Sequence, residues 1–212
     1  MTQKIKGLYA ITPDWADTDK LLQATRSLLE GGASVIQYRN KSGDVALQHA
    51  QASELIKLCH TFKVPLIIND NLRLADLTDA DGLHLGAEDA SMREARFILG
   101  PDKIIGVSCY NSLERAKEAE HQGADYVAFG RFFASLTKPD AVQAPLSLLG
   151  DAKHVLHVPI VAIGGITLDN APLLVKAGAD AVAVISALYD SNDLHTTAKS
   201  FTSLFHRPDQ IQ

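Results

Sequence analysis

The stretch Gly-Ala-Asp-Ala-Val-Ala at residues 178–183 has two similar copies earlier in the chain: Gly-Ala-Asp-Tyr-Val-Ala at 123–128 and Gly-Gly-Ala-Ser-Val-Ile at 31–36. In each copy, glycine permits the left-handed turn that ends a helix, and a small residue leads into an apolar run. The repeat therefore indicates a helix-to-strand junction that recurs along the chain, which is typical of a barrel of βα units.

Short β-rich runs recur along the whole chain with a helical pattern between each pair, which predicts consecutive βα units and a parallel sheet. Several runs are almost continuously apolar, as expected for parallel strands covered on both faces. Eight strands that each need a right-handed crossover helix close most simply into a barrel. The sequence thus predicts an α/β fold, a (βα)8 TIM barrel with residues 1–212 in a single domain. The predicted strands are 7–12, 35–40, 65–70, 82–85, 104–109, 126–130, 159–164 and 181–186.

The composition and the apolar runs predict a soluble cytoplasmic protein. The 212 residues are 46% hydrophobic and 21% charged, with a net charge of −5, so neither nucleic acid nor an acidic membrane is an expected partner. Cys59 and Cys109 lack metal-ligand spacing and are predicted to be buried thiols. The N-terminus has no apolar signal segment, and the longest apolar run, 158–166, is too short to span a bilayer.

Polar and basic residues follow the second predicted strand, where a barrel carries its active site. By period-two alternation, Gln37, Arg39 and Lys41 point the same way, into the barrel mouth. The alternative is a solvated basic rim. Polar and cationic groups on one side of a buried strand are unfavourable without an anionic ligand, which favours a phosphate-binding role.

Two aspartates follow the neighbouring third and fourth strands and are expected to converge. Asp70 and Asp89 beside a basic cluster predict a Mg²⁺ site that also takes a polyphosphate, because Mg²⁺ prefers a few oxygen ligands plus substrate phosphate. The alternative for either aspartate alone is a helix N-cap.

The remaining rim residues predict a second anion site. The irregular segment 131–145 carries Ser135, Leu136, Thr137 and Lys138 and is interpreted as a functional loop that closes over an anion. The glycine pair at 164–165 and the Ile185-Ser186 pair follow strands 7 and 8, the usual phosphate cradle of barrels.

Three further conspicuous residues give weaker signals. Ser108 follows strand 5, but no His and Asp arrangement makes it a convincing nucleophile. His84 is interpreted as a satisfied core histidine, and Trp15 as an aromatic residue of the rim.

Together these segments resemble the thiamine phosphate synthase family almost end to end. The Gln-x-Arg-x-Lys of that family appears at 37–41, its Asn-Asp at 69–70, and its His-Leu-Gly-x-Glu-Asp at 84–89. Its Thr-Lys appears at 137–138, its Ile-Gly-Gly-Ile at 163–166 and its last phosphate site at 185–186.

The resemblance implies the joining of 4-amino-5-hydroxymethyl-2-methylpyrimidine diphosphate to a (carboxy)thiazole phosphate, with release of pyrophosphate and Mg²⁺ as cofactor. It implies that Asp70 and Asp89 bind the metal. The implied pyrimidine diphosphate contacts are Gln37, Tyr38, Arg39, Asn40, Lys41, Asn69, Ser108 and Lys138, of which Arg39, Lys41, Ser108 and Lys138 are expected to be catalytic. The implied thiazole phosphate contacts are Ser135, Leu136, Thr137, Gly165, Ile185 and Ser186.

Three positions depart from the common family pattern. Asn71 stands where many members have aspartate, Ala134-Ser135 where Pro-Thr is commoner, and Tyr110 where relatives often have histidine. The nearest rival function is that of the related thiazole tautomerase, which uses a histidine in the strand-5 loop. The pattern is also compatible with a non-catalytic phosphate-ligand sensor or with a different phosphate-binding barrel, such as an aldolase or epimerase. An aldolase needs a Schiff-base lysine within a strand, and the predicted strands contain none.

Overall fold

The protein is an eight-stranded parallel barrel with helices between the strands, which confirms the predicted (βα)8 fold. The computed structural model describes residues 5–134 and 143–206. The strands pair in chain order, and β1 also pairs with β8, so the sheet is closed. The strands are β1 Gly7–Ile11, β2 Val35–Tyr38, β3 Leu66–Asn69, β4 Gly82–Leu85, β5 Ile104–Tyr110, β6 Tyr126–Phe129, β7 Ile160–Ile163 and β8 Ala181–Val184. The helices are α1 Thr18–Glu30, α2 Val45–Thr61, α3 Leu72–Leu77, α4 Met92–Leu99, α5 Leu113–His121, α6 Ser147–Val155, α7 Ala171–Ala177, α8 Ser186–Tyr189 and α9 Leu194–Ser203.

Seven of the eight strands end one or two residues away from their predicted C-terminal ends, and β4 ends at Leu85 as predicted. Most strands end earlier than predicted; β8, for example, ends at Val184, and Ser186 already begins α8. Strand β5 instead runs on to Tyr110, with a register shift between Ser108 and Tyr110. Helix α5 is capped by Ser112, which accepts the hydrogen bond from the backbone N–H of Arg115. These shifts leave the polar ends of the strands in loops at one rim.

Side chains alternate along each strand between two apolar cores. The barrel interior is filled by inward-facing residues of seven of the eight strands and by Ile5. A larger core lies between the outer faces of the strands and the helices, and it includes the buried faces of α1 and α2. The two cysteines are buried thiols in this outer core, as predicted. The interior residues are Ile5, Tyr9, Ile11, Val35, Ile67, Ile104, Tyr126, Ala128, Val161, Ala181 and Ala183.

Two copies of the repeat, at 123–128 and 178–183, carry an aspartate that belongs to a hydrogen-bonding unit at the N-terminal rim of the barrel, and Asp81 before β4 forms a third such unit. Just before β4, β6 and β8 stands an aspartate whose carboxylate accepts a hydrogen bond from the backbone N–H at the start of the preceding strand. The same carboxylate contacts a basic side chain of the helix that leads into that preceding strand. The three units are Asp81 with Leu66 and His60, Asp125 with Ile105 and Arg96, and Asp180 with Ile160 and Lys153.

No helix within residues 5–134 and 143–206 is long and apolar enough to cross a membrane.

We expect Asp125→Ala to lower the free energy of unfolding by about 1–3 kcal/mol, because it leaves the Ile105 N–H without its acceptor and removes the carboxylate that pairs with the Arg96 guanidinium. The measurement is urea unfolding followed by circular dichroism, with the exposed Asp102→Ala as the matched control. Equal midpoints for the two variants would show that the rim unit contributes nothing to stability.

Candidate active site

The C-terminal rim of the barrel collects inward-facing polar residues from β2 to β5. Val35 and Ile67 lie in the interior core, so Gln37 and Asn69, each two residues further on, share the same face. Ser108 on β5 is also inward, because its side chain reaches His84 at 2.9 Å between Oγ and Nε2. The interior thus changes from apolar to polar at the level where a ligand would enter.

Two residues of the predicted diphosphate site point elsewhere. Tyr38 is buried in the outer core, and its hydroxyl donates to Oε1 of Gln51 on α2 at 2.8 Å. The side-chain amide of Asn40 donates to the same Gln51 oxygen at 3.1 Å. The structure therefore does not bring these two side chains together with Arg39 and Lys41; they attach the β2 loop to α2.

The loop after β1 orients the basic residues of the β2 loop. Asp14 accepts a hydrogen bond from the Arg39 guanidinium at 3.0 Å and another from the backbone N–H of Lys41 at 2.9 Å. The Thr12 hydroxyl exchanges hydrogen bonds with the backbone N–H and C=O of Arg39, at 2.9 and 3.1 Å. Sequence analysis missed Thr12 and Asp14. Their position directly after a barrel strand was the available signal.

Asp70, Asp89 and Lys41 form one cluster at the ends of β2, β3 and β4. The Lys41 ammonium donates to Oδ2 of Asp70, and the Asp70 and Asp89 carboxyl groups are close enough for each to shift the pKa of the other. Asp70 has φ of +60°, a conformation that non-glycine residues adopt rarely and that is found at functional sites. The predicted convergence of the two aspartates is thus present in the structure.

The two carboxyl groups have opposite pKa shifts. Burial raises the pKa of Asp89, and the neighbouring Asp70 carboxylate raises it further, against the hydrogen bond from the Gly86 N–H. Burial also acts to raise the pKa of Asp70, but the hydrogen bonds from Lys41 and Asp89, with the lysine charge, lower it below its usual value. Two carboxylates this close favour sharing a proton, which a divalent cation would replace.

Neither aspartate is a helix N-cap, so the alternative raised by the sequence is wrong. Asn71 caps α3 by accepting from the backbone N–H of Leu74, and Ser91 caps α4 by accepting from that of Glu94. Asn71 departs from the common family residue, but asparagine and aspartate are equally good caps. Neither Asp70 nor Asp89 is therefore needed for helix capping, so both carboxyl groups are available to a ligand.

Tyr110 and Arg115 attach the loop that carries Asp89 to the end of β5. The Tyr110 hydroxyl accepts from the backbone N–H of Ala87 at 3.3 Å. The Arg115 guanidinium donates to the carbonyls of Ser108 and Gly86, at 2.8 and 3.3 Å, and lies 5.6 Å from the Tyr110 ring centroid. Tyr110 therefore holds the loop that carries Asp89 through its hydrogen bond to Ala87.

Opposite this cluster, the loop after β7 is a glycine turn packed on the start of the β6 loop. Gly164 and Gly165 have φ of +103° and +65°, and a Cβ on Gly165 would lie 2.3 Å from the carbonyl oxygen of Ala134. The backbone N–H groups of Gly165 and Ser186 have no acceptor among residues 5–134 and 143–206. Ile185 precedes the first turn of α8. Ser135, Leu136, Thr137 and Lys138 lie outside the described residues.

His84 and Trp15 have structural partners, in line with their interpretation. Both His84 nitrogens are hydrogen-bonded, Nδ1 to the Tyr126 hydroxyl and Nε2 to Ser108, each at 2.9 Å. Burial lowers the pKa of His84 to about 4, against a weaker effect of the Asp70 charge. Trp15 packs edge-on against Tyr189, with ring centroids 5.4 Å apart.

Within the described residues, no group of three or more histidine, cysteine, aspartate or glutamate side chains is arranged to hold a metal ion. Any cation at this rim would therefore take two carboxylates, from Asp70 and Asp89, and complete its coordination with water or ligand oxygens. This arrangement is typical of Mg²⁺ bound together with a substrate phosphate.

Comparison with known proteins identifies the family. A sequence profile described as thiamine monophosphate synthase matches residues 8–188. This chain belongs to that family. Relatives named thiamine-phosphate synthase from Thiobacillus denitrificans and Nitrosomonas eutropha are 56% and 54% identical, covering 94% and 95% of both chains in each pair. The solved thiamine phosphate pyrophosphorylase from Pyrococcus furiosus is similar over 96% of both chains, with a TM-score of 0.84 and 35% identity. The family resemblance predicted from the sequence is thus confirmed.

We expect His84 to stay neutral in the folded protein until the pH approaches about 4, whereas in the unfolded chain it titrates near the ordinary ~6.5. Because the unfolded state binds this proton between those two values and the folded state does not, the histidine removes stability as pH falls through that window. An NMR titration of the His84 ring in native and urea-unfolded protein measures both midpoints. A native midpoint near 6.5 would contradict the expectation.

Proposed function

We propose that this chain is a thiamine-phosphate synthase, a transferase that joins the pyrimidine diphosphate to the thiazole phosphate and releases pyrophosphate. In this proposal residues 1–212 form one catalytic domain, and the partners are the two small molecules. The observation that carries it is the paired carboxyl groups of Asp70 and Asp89 beside Lys41 and the Arg39–Asp14 pair. Charged groups collected at one rim of an otherwise apolar barrel are unfavourable unless a charged ligand pairs with them.

The diphosphate would bind over β2 to β5. Arg39 and Lys41 are directed by backbone and side-chain contacts to Thr12 and Asp14, and both cations would neutralise phosphate oxygens. Asp70 and Asp89 fit Mg²⁺, because they are neighbouring oxygen donors and because burial and the Asp70 charge raise the pKa of Asp89. When bound, the metal would supply positive charge against the leaving diphosphate.

In the reaction, the bond between the pyrimidine methylene carbon and the diphosphate oxygen breaks, and the electron pair leaves with the diphosphate. The electron-rich pyrimidine ring stabilises the resulting carbocation, and the thiazole nitrogen then donates its lone pair to form the new C–N bond. Arg39, Lys41 and Lys138 would stabilise the developing negative charge, and Asn69, Gln37 and Ser108 would orient the pyrimidine half. No side-chain nucleophile is required.

The thiazole phosphate would bind at the opposite side of the rim. The backbone N–H groups of Gly165 and Ser186 are available donors, and Ile185 would contact the thiazole half. Ser135, Leu136 and Thr137 would complete the site from the β6 loop. The glycine turn packs on the start of that loop at Ala134, so the loop and the cradle would act together.

The thiazole tautomerase is the alternative within the same fold. The contacts of Tyr110 argue against it, because its hydroxyl supports the loop at Ala87 where the isomerase would need a histidine acting on substrate. A non-catalytic phosphate sensor is disfavoured by the retained charges of Arg39, Lys41, Asp70 and Asp89.

We expect the purified protein to form thiamine phosphate and pyrophosphate when it is given both substrates and Mg²⁺. The product is measured by its oxidation to the fluorescent thiochrome phosphate, with omission of each substrate in turn as the control. Absence of product under conditions where the Thiobacillus denitrificans relative is active would overturn the proposed function.

We expect Asp89→Asn to raise the Mg²⁺ concentration needed for half-maximal turnover by at least about tenfold, because it removes one of two carboxylate ligands. The matched control is Glu88→Gln, which removes the adjacent exposed carboxylate. Thermal unfolding of both variants checks that the fold is intact. If the two variants have the same Mg²⁺ dependence, Asp89 is not a metal ligand.

A further inference from the structure

A continuous chain of hydrogen-bonded side chains crosses the barrel interior below the rim. It runs from Gln37 on β2 through Tyr9, Tyr126 and His84 to Ser108 on β5. The successive distances are 2.9 Å from Gln37 Nε2 to the Tyr9 hydroxyl, 2.7 Å between the two tyrosine hydroxyls, 2.9 Å to His84 Nδ1 and 2.9 Å from His84 Nε2 to Ser108 Oγ. Tyr9 and Tyr126 are almost fully buried, and only the Ser108 end is partly exposed.

The packing around Tyr126 shows that this chain is built into the barrel. A Cβ on Gly106 would lie 1.9 Å from Cζ of Tyr126, so the tyrosine ring occupies the space that a side chain of β5 would fill. The same ring stacks on His84, with centroids 5.6 Å apart and an angle of 21° between the planes. Glycine at 106 therefore allows the Tyr126 hydroxyl to reach the histidine.

The direction of the hydrogen bonds follows from the Gln37 end. An amide N–H can only donate, so the Tyr9 oxygen accepts from Gln37, and the Tyr9 proton then goes to Tyr126. Tyr126 in turn donates to His84 Nδ1, which leaves the imidazole proton on Nε2, where it is donated to Ser108. With the opposite direction, or with a charged imidazole, the buried Tyr9 proton would have no acceptor among the described residues. An unsatisfied buried hydroxyl is unfavourable, because it loses its hydrogen bonds to water and gains none in the protein.

We propose that this chain holds His84 as its Nε2–H tautomer and thereby makes the Ser108 hydroxyl a dedicated donor to the bound substrate. Because Ser108 Oγ accepts from His84, its own proton is free for an acceptor atom of the ligand, a ring nitrogen or a phosphate oxygen. The inference rests on the proposed function for the identity of that ligand. Tyr9, Tyr126 and His84 are then positioning residues, which act through Ser108, and Gln37, which would also face the pyrimidine half, sets the direction of the chain.

The tautomer is measurable without activity. In the ¹⁵N-histidine-labelled wild-type protein, long-range ¹H–¹⁵N spectra at neutral pH separate protonated from unprotonated ring nitrogens, and the signal missing from His84→Asn assigns the residue. We expect Nε2 of His84 to carry the proton. A proton on Nδ1 would overturn the proposal, whatever the enzyme assays show.

A matched pair of variants tests the direction. In Gln37→Glu, an ionised carboxylate can only accept, so every hydrogen bond is expected to reverse and the His84 proton to move to Nδ1. In Gln37→Met the Tyr9 proton still needs Tyr126, so the tautomer is expected to stay as in wild type. The spectra are recorded at a pH where the ¹³C shift of the introduced carboxyl shows it to be ionised. An unchanged tautomer in that state would contradict the relay.

The link to the ligand is tested by combining variants. In the wild-type background Ser108→Ala is expected to lower kcat/KM for the pyrimidine diphosphate at least about tenfold, the effect of one lost hydrogen bond to a charged or polar acceptor. In the Gln37→Glu background the Ser108 proton already points to His84, so Ser108→Ala should have little further effect. Equal losses in both backgrounds would overturn the donor role. Absence of any product from wild type would overturn the proposed function instead, and would leave the NMR result standing.

Discussion

The pairing of β1 with β8 is the constraint on which the rest of the structure depends. It closes the sheet, so that residues distant in sequence meet inside one cylinder and all strands end at the same rim. The contact between the Tyr9 and Tyr126 hydroxyls, on strands β1 and β6, exists only because of this closure. In an open sheet the same side chains would lie on one face without meeting. Closure also gives every inward position a fixed depth, and depth decides whether a polar group is buried or reaches a ligand.

Along the barrel axis, the interior changes from apolar to polar in steps set by the strand period of two. On β2, Val35 belongs to the apolar interior, Gln37 to the buried hydrogen-bonded chain and Arg39 to the charged rim. From Val35 to Gln37 to Arg39, each side chain has more polar groups that need hydrogen-bond or ion-pair partners than the one below it. The buried chain therefore lies between a core that needs no hydrogen bonds and a rim that needs a ligand to complete them. Its fully paired tyrosines and histidine are rigid supports for the rim residues.

The sequence predicted the fold, and which residues lie at the C-terminal rim, better than it predicted which side chains contact one another. Alternation on β2 correctly predicted that Gln37 faces inward, and strand order correctly predicted that Asp70 and Asp89 converge. It could not assign Tyr9 or Tyr126 to a hydrogen-bonded chain, because a tyrosine within an apolar run has the same pattern whether its hydroxyl is paired or exposed. Pairing across the interior depends on the stagger of the closed strands, which no local pattern contains.

The β2 loop shows a second limit of sequence patterns. Period-two alternation holds only while the backbone is extended, and β2 ends at Tyr38, so the placement of Arg39 and Lys41 depends on Asp14 and Thr12 of another loop. The same limit applies to the boundary of α5, where Asn111 and Ser112 are both good caps and only the path of the chain after β5 selects Ser112.

The two rims use aspartate in opposite ways, and the difference distinguishes stability from function. At the N-terminal rim, Asp125 accepts from one backbone N–H and one guanidinium, so its charge is balanced within the protein. At the C-terminal rim, Asp70 and Asp89 face each other with Lys41 as their common cation, and burial raises the pKa of Asp89 because its charge is poorly compensated. A carboxylate with complete partners stabilises the fold. Two carboxyl groups that raise each other's energy when both are charged would be stabilised by binding of a cation. The location of that imbalance, at the ends of the strands, is what makes these two aspartates the candidates for ligand binding.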